Sequence, residues 1–111
     1  MVAATPVAVE RAFAERGVLV SRVPSSPDLC NAGMCFGLDV AGGGGVVYLA
    51  PLKGKDFMVV LFRAGTDARR AAALENANPV VRVVTKGPAL LVYMASSSRI
   101  SRLRAALAAT R

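Results

Sequence analysis

The sequence predicts an α+β domain: an antiparallel sheet with helices on one face, extended by an extra N-terminal helix and an extra hairpin. Three observations predict it. Apolar residues recur at helical spacing in some stretches and alternate or run on continuously in others. Glycine and proline clusters fall at the junctions between those stretches. From Phe57 onward the elements read strand, helix, strand, strand, helix.

The first element is a helix from Pro6 to Arg16. Val9, Ala12 and Phe13 share one face, while Glu10, Arg11 and Glu15 lie on the other. Pro6 suits a first helical turn and Gly17 a C-terminal cap. Val18 to Val23 follows as a strand, and Pro24 to Asp28 as a loop. Met34 to Val40 and Val46 to Leu52 read as a hairpin around Ala41-Gly42-Gly43-Gly44-Gly45. Those glycines do not make a phosphate loop. No Lys-Ser/Thr pair follows them, and what does follow is strand-like rather than helical.

Leu52 to Asp56 is a turn. Phe57 to Phe62, F-M-V-V-L-F, is apolar at every position, as expected of a central strand covered on both sides. Gly65-Thr66-Asp67 opens a helix with Thr66 or Asp67 as its N-cap. It runs to about Asn76, with Ala68, Ala71 and Leu74 inward and Arg69, Arg70 and Glu75 outward, and Asn78-Pro79 ends it. Val80 to Thr85 and Ala89 to Met94 form a tight hairpin across Lys86-Gly87-Pro88. Ser96-Ser97-Ser98 caps the last helix, Arg99 to about Ala109, whose buried stripe is Ile100, Leu103 and Leu107. Arg99, Arg102 and Arg104 flank that stripe, where arginine stems usually lie along the core margin.

The five elements from Phe57 are the first five of a βαββαβ unit, the ferredoxin-like split βαβ sandwich. The sixth strand is missing at the C-terminal end. Val18 to Val23 is expected to supply it, as in a circular permutation, giving a four-stranded sheet with two helices on one face, while the first helix and the Met34–Leu52 hairpin cover the other face or extend an edge.

At 111 residues the chain is expected to be a single domain, residues 1–111, with enough length to bury a core unaided. Hydrophobic residues make up 54%, which excludes a disordered chain. No apolar run approaches the ~18 residues of a membrane span. The start, Met1 to Pro6, lacks a basic segment followed by an apolar one. It fits a cytoplasmic protein, or a mature secreted or lipid-anchored one whose signal has been removed. The net charge of +7 suggests an anionic partner: a cell-wall polymer, anionic lipid or nucleic acid. The competing explanation is a GC-rich genome, which favours Arg, Ala, Gly and Val together. Arg69, Arg70, Arg82, Arg99 and Arg102 are the candidate residues for an anionic ligand.

Catalytic equipment is sparse. Without histidine there is no Ser-His or Cys-His nucleophile pair and no usual zinc site. Glu10 and Glu15, or Asp28 and Asp39, show no spacing that acid–base chemistry requires. Met34, Met58 and Met94 could ligate soft copper, but for Met58 and Met94, in strands, core packing is the default. No catalytic residue, metal or cofactor is expected, and the chain is read as a non-enzyme. Cys30 and Cys35 are spaced C-x₄-C, not the redox spacing C-x-x-C. A structural disulfide across Asn31-Ala32-Gly33 leads, and would place the protein in an oxidising compartment. Two buried thiols, or a redox or metal pair, remain as alternatives.

The run from Phe57 to Ala109 resembles the sporulation-related repeat (SPOR) family. The matching pieces are F-M-V-V-L-F, D-A-R-R-A-A-A-L, V-V-R-V-V, G-P-A-L-L-V-Y-M and R-L-R-A-A-L, about half of the chain. The usual glutamine of the first strand, the G-x-F turns and the closing strand are absent. The resemblance implies a ferredoxin-like fold and binding to denuded peptidoglycan, and assigns no ligand residue. In general character the chain also resembles small secreted or lipoprotein domains of GC-rich actinobacteria. K-G-K-D-F-M-V-V-L-F is similar to the central signature of RNA-recognition motifs, but Val59 stands where a second stacking aromatic belongs.

The expected function is therefore a non-enzymatic extracytoplasmic binding or adaptor module of the cell envelope, with a glycan or a protein as partner. The alternative is a cytoplasmic nucleic-acid-binding domain of the RNA-recognition type. A third reading is a small-molecule regulatory module that homodimerises through an exposed sheet face, with Arg82 and Tyr93 on opposite sides.

Overall fold

A computed structural model of the chain describes residues 5–23, 47–77 and 79–110. The Pro24–Asp28 loop, the Met34–Val40 strand, the glycine tip and the Cys30–Cys35 pair lie outside the described residues. Among the described residues the order is α1 (Pro6–Ala14), β1 (Val20–Val23), β2 (Val47–Pro51), β3 (Phe57–Leu61), α2 (Gly65–Glu75), β4 (Val81–Lys86), β5 (Ala89–Met94) and α3 (Ile100–Ala109). The fold is α+β, with a five-stranded antiparallel open sheet in the order β1-β2-β3-β5-β4. It is compatible with a ferredoxin-like sandwich. β3, α2 and β4 form a crossover with β5 slotted between the two strands, which is the split βαβ arrangement.

The strand beside β3 is not the one expected. β2 pairs with β3, and the Val20–Val23 strand sits beyond it at the sheet edge. Proline limits that pairing. The β2–β3 register ends at Leu49↔Val59, and the next position on β2 facing β3 for hydrogen bonding is Pro51, which has no N–H to give. On its other side Pro51 stands opposite Val20 at a position where no bond is exchanged, so proline is tolerated there.

The helices do not share one face. β3 is buried throughout and β5 from Ala89 to Tyr93, and their alternate residues enter two separate cores. Phe57, Val59, Leu61, Leu91 and Tyr93 pack with Val9 and Phe13 of α1 and with Leu103, Ala106 and Leu107 of α3. Met58, Val60, Leu90 and Val92 pack with Ala68 and Ala71 of α2. A strand that is apolar on both sides needs two covering layers, and a single helical layer could not bury it.

Local chemistry explains the boundaries. Thr5 is the N-cap of α1, its hydroxyl accepting from the Ala8 N–H at 3.1 Å. α2 starts at Gly65 with Ala64 as N-cap, so neither Thr66 nor Asp67 caps it by a side-chain hydrogen bond. Glu75 is fully buried rather than outward. It lies seven residues after Ala68, two helical turns on, and so falls on the same stripe. Leu74, expected inward, is half-buried. In α3 the fully buried stripe is Leu103, Ala106 and Leu107, with Ile100 half-buried at its start. Gly87, at φ +56°, takes the first central position of the two-residue β4–β5 loop, where positive φ matches the strand twist.

Candidate functional site

Among the described residues, the densest group of polar contacts lies where the Lys53–Asp56 turn meets the Ala95–Arg99 connection into α3. Asp56 immediately precedes β3, and its carbonyl accepts from the Met94 N–H at 2.7 Å, which fixes the turn against the end of β5. The Arg99 side chain then holds both carboxylate oxygens. Nη2 donates to Oδ1 at 2.7 Å and Nε to Oδ2 at 3.0 Å. Nη2 also donates to the Lys53 carbonyl at 2.9 Å. Ser97 completes the group: its hydroxyl donates to Asp56 Oδ2 at 2.6 Å and accepts from the Arg99 N–H at 3.2 Å. The guanidinium carbon of Arg99 lies 5.1 Å from the centroid of the Phe57 ring, which stacks on Phe13 at 5.9 Å.

The Arg99 hydrogen bond holds the Asp56 carboxyl below its ordinary range, aided by Ser97 and opposed by partial burial. The same contact raises the Arg99 pKa further. This is a clasp joining two distant loops, in which donors and acceptors satisfy one another. Arg99 was a sequence candidate for an anionic ligand, and here Asp56 occupies its carboxylate-binding fork.

The other four candidates do not converge. Arg69 and Arg70 are exposed on α2, on one side of the sheet. Arg102 is exposed on α3, on the other side. Arg82 is exposed on β4, and its Nη1 donates to the carbonyls of Pro79 at 3.1 Å and Val81 at 3.0 Å. Arg82 and Tyr93 stand directly opposite each other in the β4–β5 register. Residues paired in this way point to the same side, so the expectation that they lie on opposite sides is corrected. Helices cover both faces of β3 and β5, so these central strands present no exposed sheet face for dimerisation.

Sequence reading missed Asp56 and Ser97, which it placed in a turn and in a helix cap. K-G-K-D and S-S-S carry no local sign that they meet. Lys86 was missed as well. Its ammonium donates to the carbonyls of Ala108 and Thr110, the latter at 2.6 Å, and so binds the end of α3 to β4. Among the described residues no group of three acidic or cysteine side chains is placed to hold a metal, and no helix is long and apolar enough to cross a membrane.

The elements thus define a small α+β open-sheet domain whose polar clasp is structural and whose free arginines lie on its surface. Comparison with protein-family models, with curated proteins and with solved structures finds no match.

Proposed function

We propose that the chain is a non-enzymatic binding or adaptor module of the cell envelope, acting outside the cytoplasm on a glycan polymer or a protein partner. The observation that carries this reading is the disposition of the arginines. Arg69, Arg70, Arg102 and Arg104 are exposed on α2 and α3, and none forms an ion pair among the described residues. Four unpaired cations spread over two sides of the sheet suit an extended anionic or polyhydroxylated surface better than a single small substrate. The Cys30–Cys35 spacing supports the oxidising compartment, and the likeness of residues 57–109 to SPOR domains supports the glycan.

The nucleic-acid alternative loses its main support. Phe57, the residue that would stack a base in an RNA-recognition motif, is 1% exposed, and its ring is in contact with Phe13 and Arg99.

The test is co-sedimentation with purified cell-wall sacculi at physiological salt, alongside binding to single-stranded RNA over a salt series. Retention on sacculi at 150 mM salt, about the physiological ionic strength, is the expected result. RNA binding with a steep salt slope and no retention on sacculi would replace this reading with the nucleic-acid one. Equilibration in graded thiol buffers tests the compartment. A Cys30–Cys35 potential below about −300 mV marks a structural disulfide, and a pair that never oxidises removes the extracytoplasmic assignment.

A further inference from the structure

Strand β4 ends the sheet, and among the described residues no strand pairs with its outer edge. The bonds at its inner edge show which backbone groups face outward. The Ala95 N–H donates to the Val80 carbonyl, so Val80, Arg82, Val84 and Lys86 exchange bonds with β5. The N–H and C=O groups of Val81, Val83 and Thr85 therefore point away from the sheet. Arg82 occupies the Val81 carbonyl. Those of Val83 and Thr85 meet no described partner.

Beside this open stretch runs a groove between β4 and the outer flank of α3, lined by Val84, Thr85, Lys86, Arg104, Leu107 and Ala108 among others. Its floor is apolar, its rim carries Arg104 and Lys86, and no carboxylate lines it. Val84 is half-buried and points to the α3 side, since it stands opposite Leu91 in the register.

We infer that the β4 edge with this groove is a docking site for an extended acidic peptide segment of a partner protein, added as a sixth strand. The inference rests on the binding-module reading and specifies its protein-partner form. The open amides and carbonyls of Val83 and Thr85 supply the main-chain bonds. A partner side chain opposite Val84 enters the groove between β4 and α3, and a carboxylate beside it meets Arg104. Charge selects the occupant. A second copy of this chain would bring Arg82 and Lys86 of two protomers, each of net charge +7, against one another, a like-charge arrangement that blocks edge-to-edge pairing.

The probe is a fluorophore-labelled nonapeptide of alternating Glu and Val, followed by anisotropy and by amide shifts in the full chain. The expected result is saturable binding with shifts centred on Val83 and Thr85, no binding of a Lys-Val counterpart, and loss when alternate peptide nitrogens are methylated. Arg104→Glu, at an exposed position, weakens binding about tenfold or more, equivalent to about 1.4 kcal/mol. Thr85→Pro removes an outward N–H, leaves the β5 ladder intact and abolishes binding. Equal binding of the methylated peptide, indifference to Arg104→Glu, shifts elsewhere, or a concentration-dependent dimer through β4 each overturns the inference. Peptide failure with sacculus retention intact removes this site alone. Loss of retention with peptide binding intact removes the glycan form of the proposed function and leaves this site standing.

Discussion

Arg99 stands 43 residues from Asp56 in the chain, yet two of its nitrogens hold both oxygens of that carboxylate, at 2.7 and 3.0 Å. The pair locks the entry to β3 onto the entry to α3. Their side chains are 24% and 23% exposed, so water screens the contact only in part. Arg99→Lys keeps the charge and loses the fork, while Asp56→Asn keeps the shape and loses the charge. Either is expected to destabilise the chain by about 1–2 kcal/mol, between the range for exposed ion pairs and that for hydrogen bonds to charged groups. The urea midpoint reads this directly. An unchanged midpoint in both variants would show the clasp to be incidental to stability.

The same pair fixes a pH dependence. The folded state holds Asp56 below its ordinary value of 3.8. A depressed carboxylate contributes stability that is fully present above the unfolded value and fades as pH falls through the folded one. Denaturant midpoints of wild type and Asp56→Asn should therefore differ at neutral pH and converge in acid, below about pH 4. Midpoints that stay equally far apart at pH 7 and pH 2.5 would assign the stabilisation to packing rather than to charge.

The aromatic pair behind the clasp makes a third case. Phe13 and Phe57 are fully buried, and their rings stack at 5.9 Å with an 18° tilt. Phe57→Ala is expected to cost about 3–5 kcal/mol, the range for truncating a buried aromatic. In a double-mutant cycle with leucine at both positions, the two substitutions should couple by about 0.5–1.5 kcal/mol. Strict additivity would mean that each ring contributes by burial alone.

How much of this was legible in the sequence follows from the range of the interactions. The strand F-M-V-V-L-F, the helix faces Val9-Ala12-Phe13 and Ala68-Ala71, and the β4–β5 hairpin are set by neighbours a few residues away, and each lies where the pattern put it. Which strand joins β3, and which side α3 takes, depend on contacts between distant segments, and both differ from expectation. The doubly apolar β3 did signal two covering layers, and α1 does lie on the side opposite α2; what the pattern could not show is that α3 joins α1 there. The arginines show the same limit for the site. Sequence could mark Arg99 as a cation, but only the meeting of the Lys53–Asp56 turn with Ser97 shows that its fork is already filled.

Gly87 offers a test of backbone geometry alone. A Cβ built there meets nothing within 4 Å, so a side chain has room. Its φ of +56° is the remaining obstacle, and a left-handed conformation costs a non-glycine residue about 1–2 kcal/mol. Gly87→Ala should lower stability by about that amount, and Gly87→Asn by less, because asparagine tolerates this region better. An alanine variant as stable as wild type would show that the loop rearranges without cost.

Lys86 gives the last prediction, at the opposite end of α3 from the clasp. Its ammonium donates to the carbonyls of Ala108 and Thr110, the final turn of a helix whose own last turn carries no basic residue. Those carbonyls carry the negative end of the helix dipole, and a cation there contributes about 0.3–1 kcal/mol at an exposed site. Thr110 is 2% exposed and its hydroxyl donates back to the Ala106 carbonyl at 3.0 Å, so the segment that Lys86 anchors is packed rather than frayed. Lys86→Met keeps most of the stem and removes the charge. It should lower stability by up to about 1 kcal/mol and raise amide exchange at Ala109 and Thr110 above that of β5. The stability difference should shrink in high salt, where an exposed charge–dipole contact is screened. A loss that persists undiminished in molar salt would place the contribution in the lysine's hydrogen bonds and not in its charge.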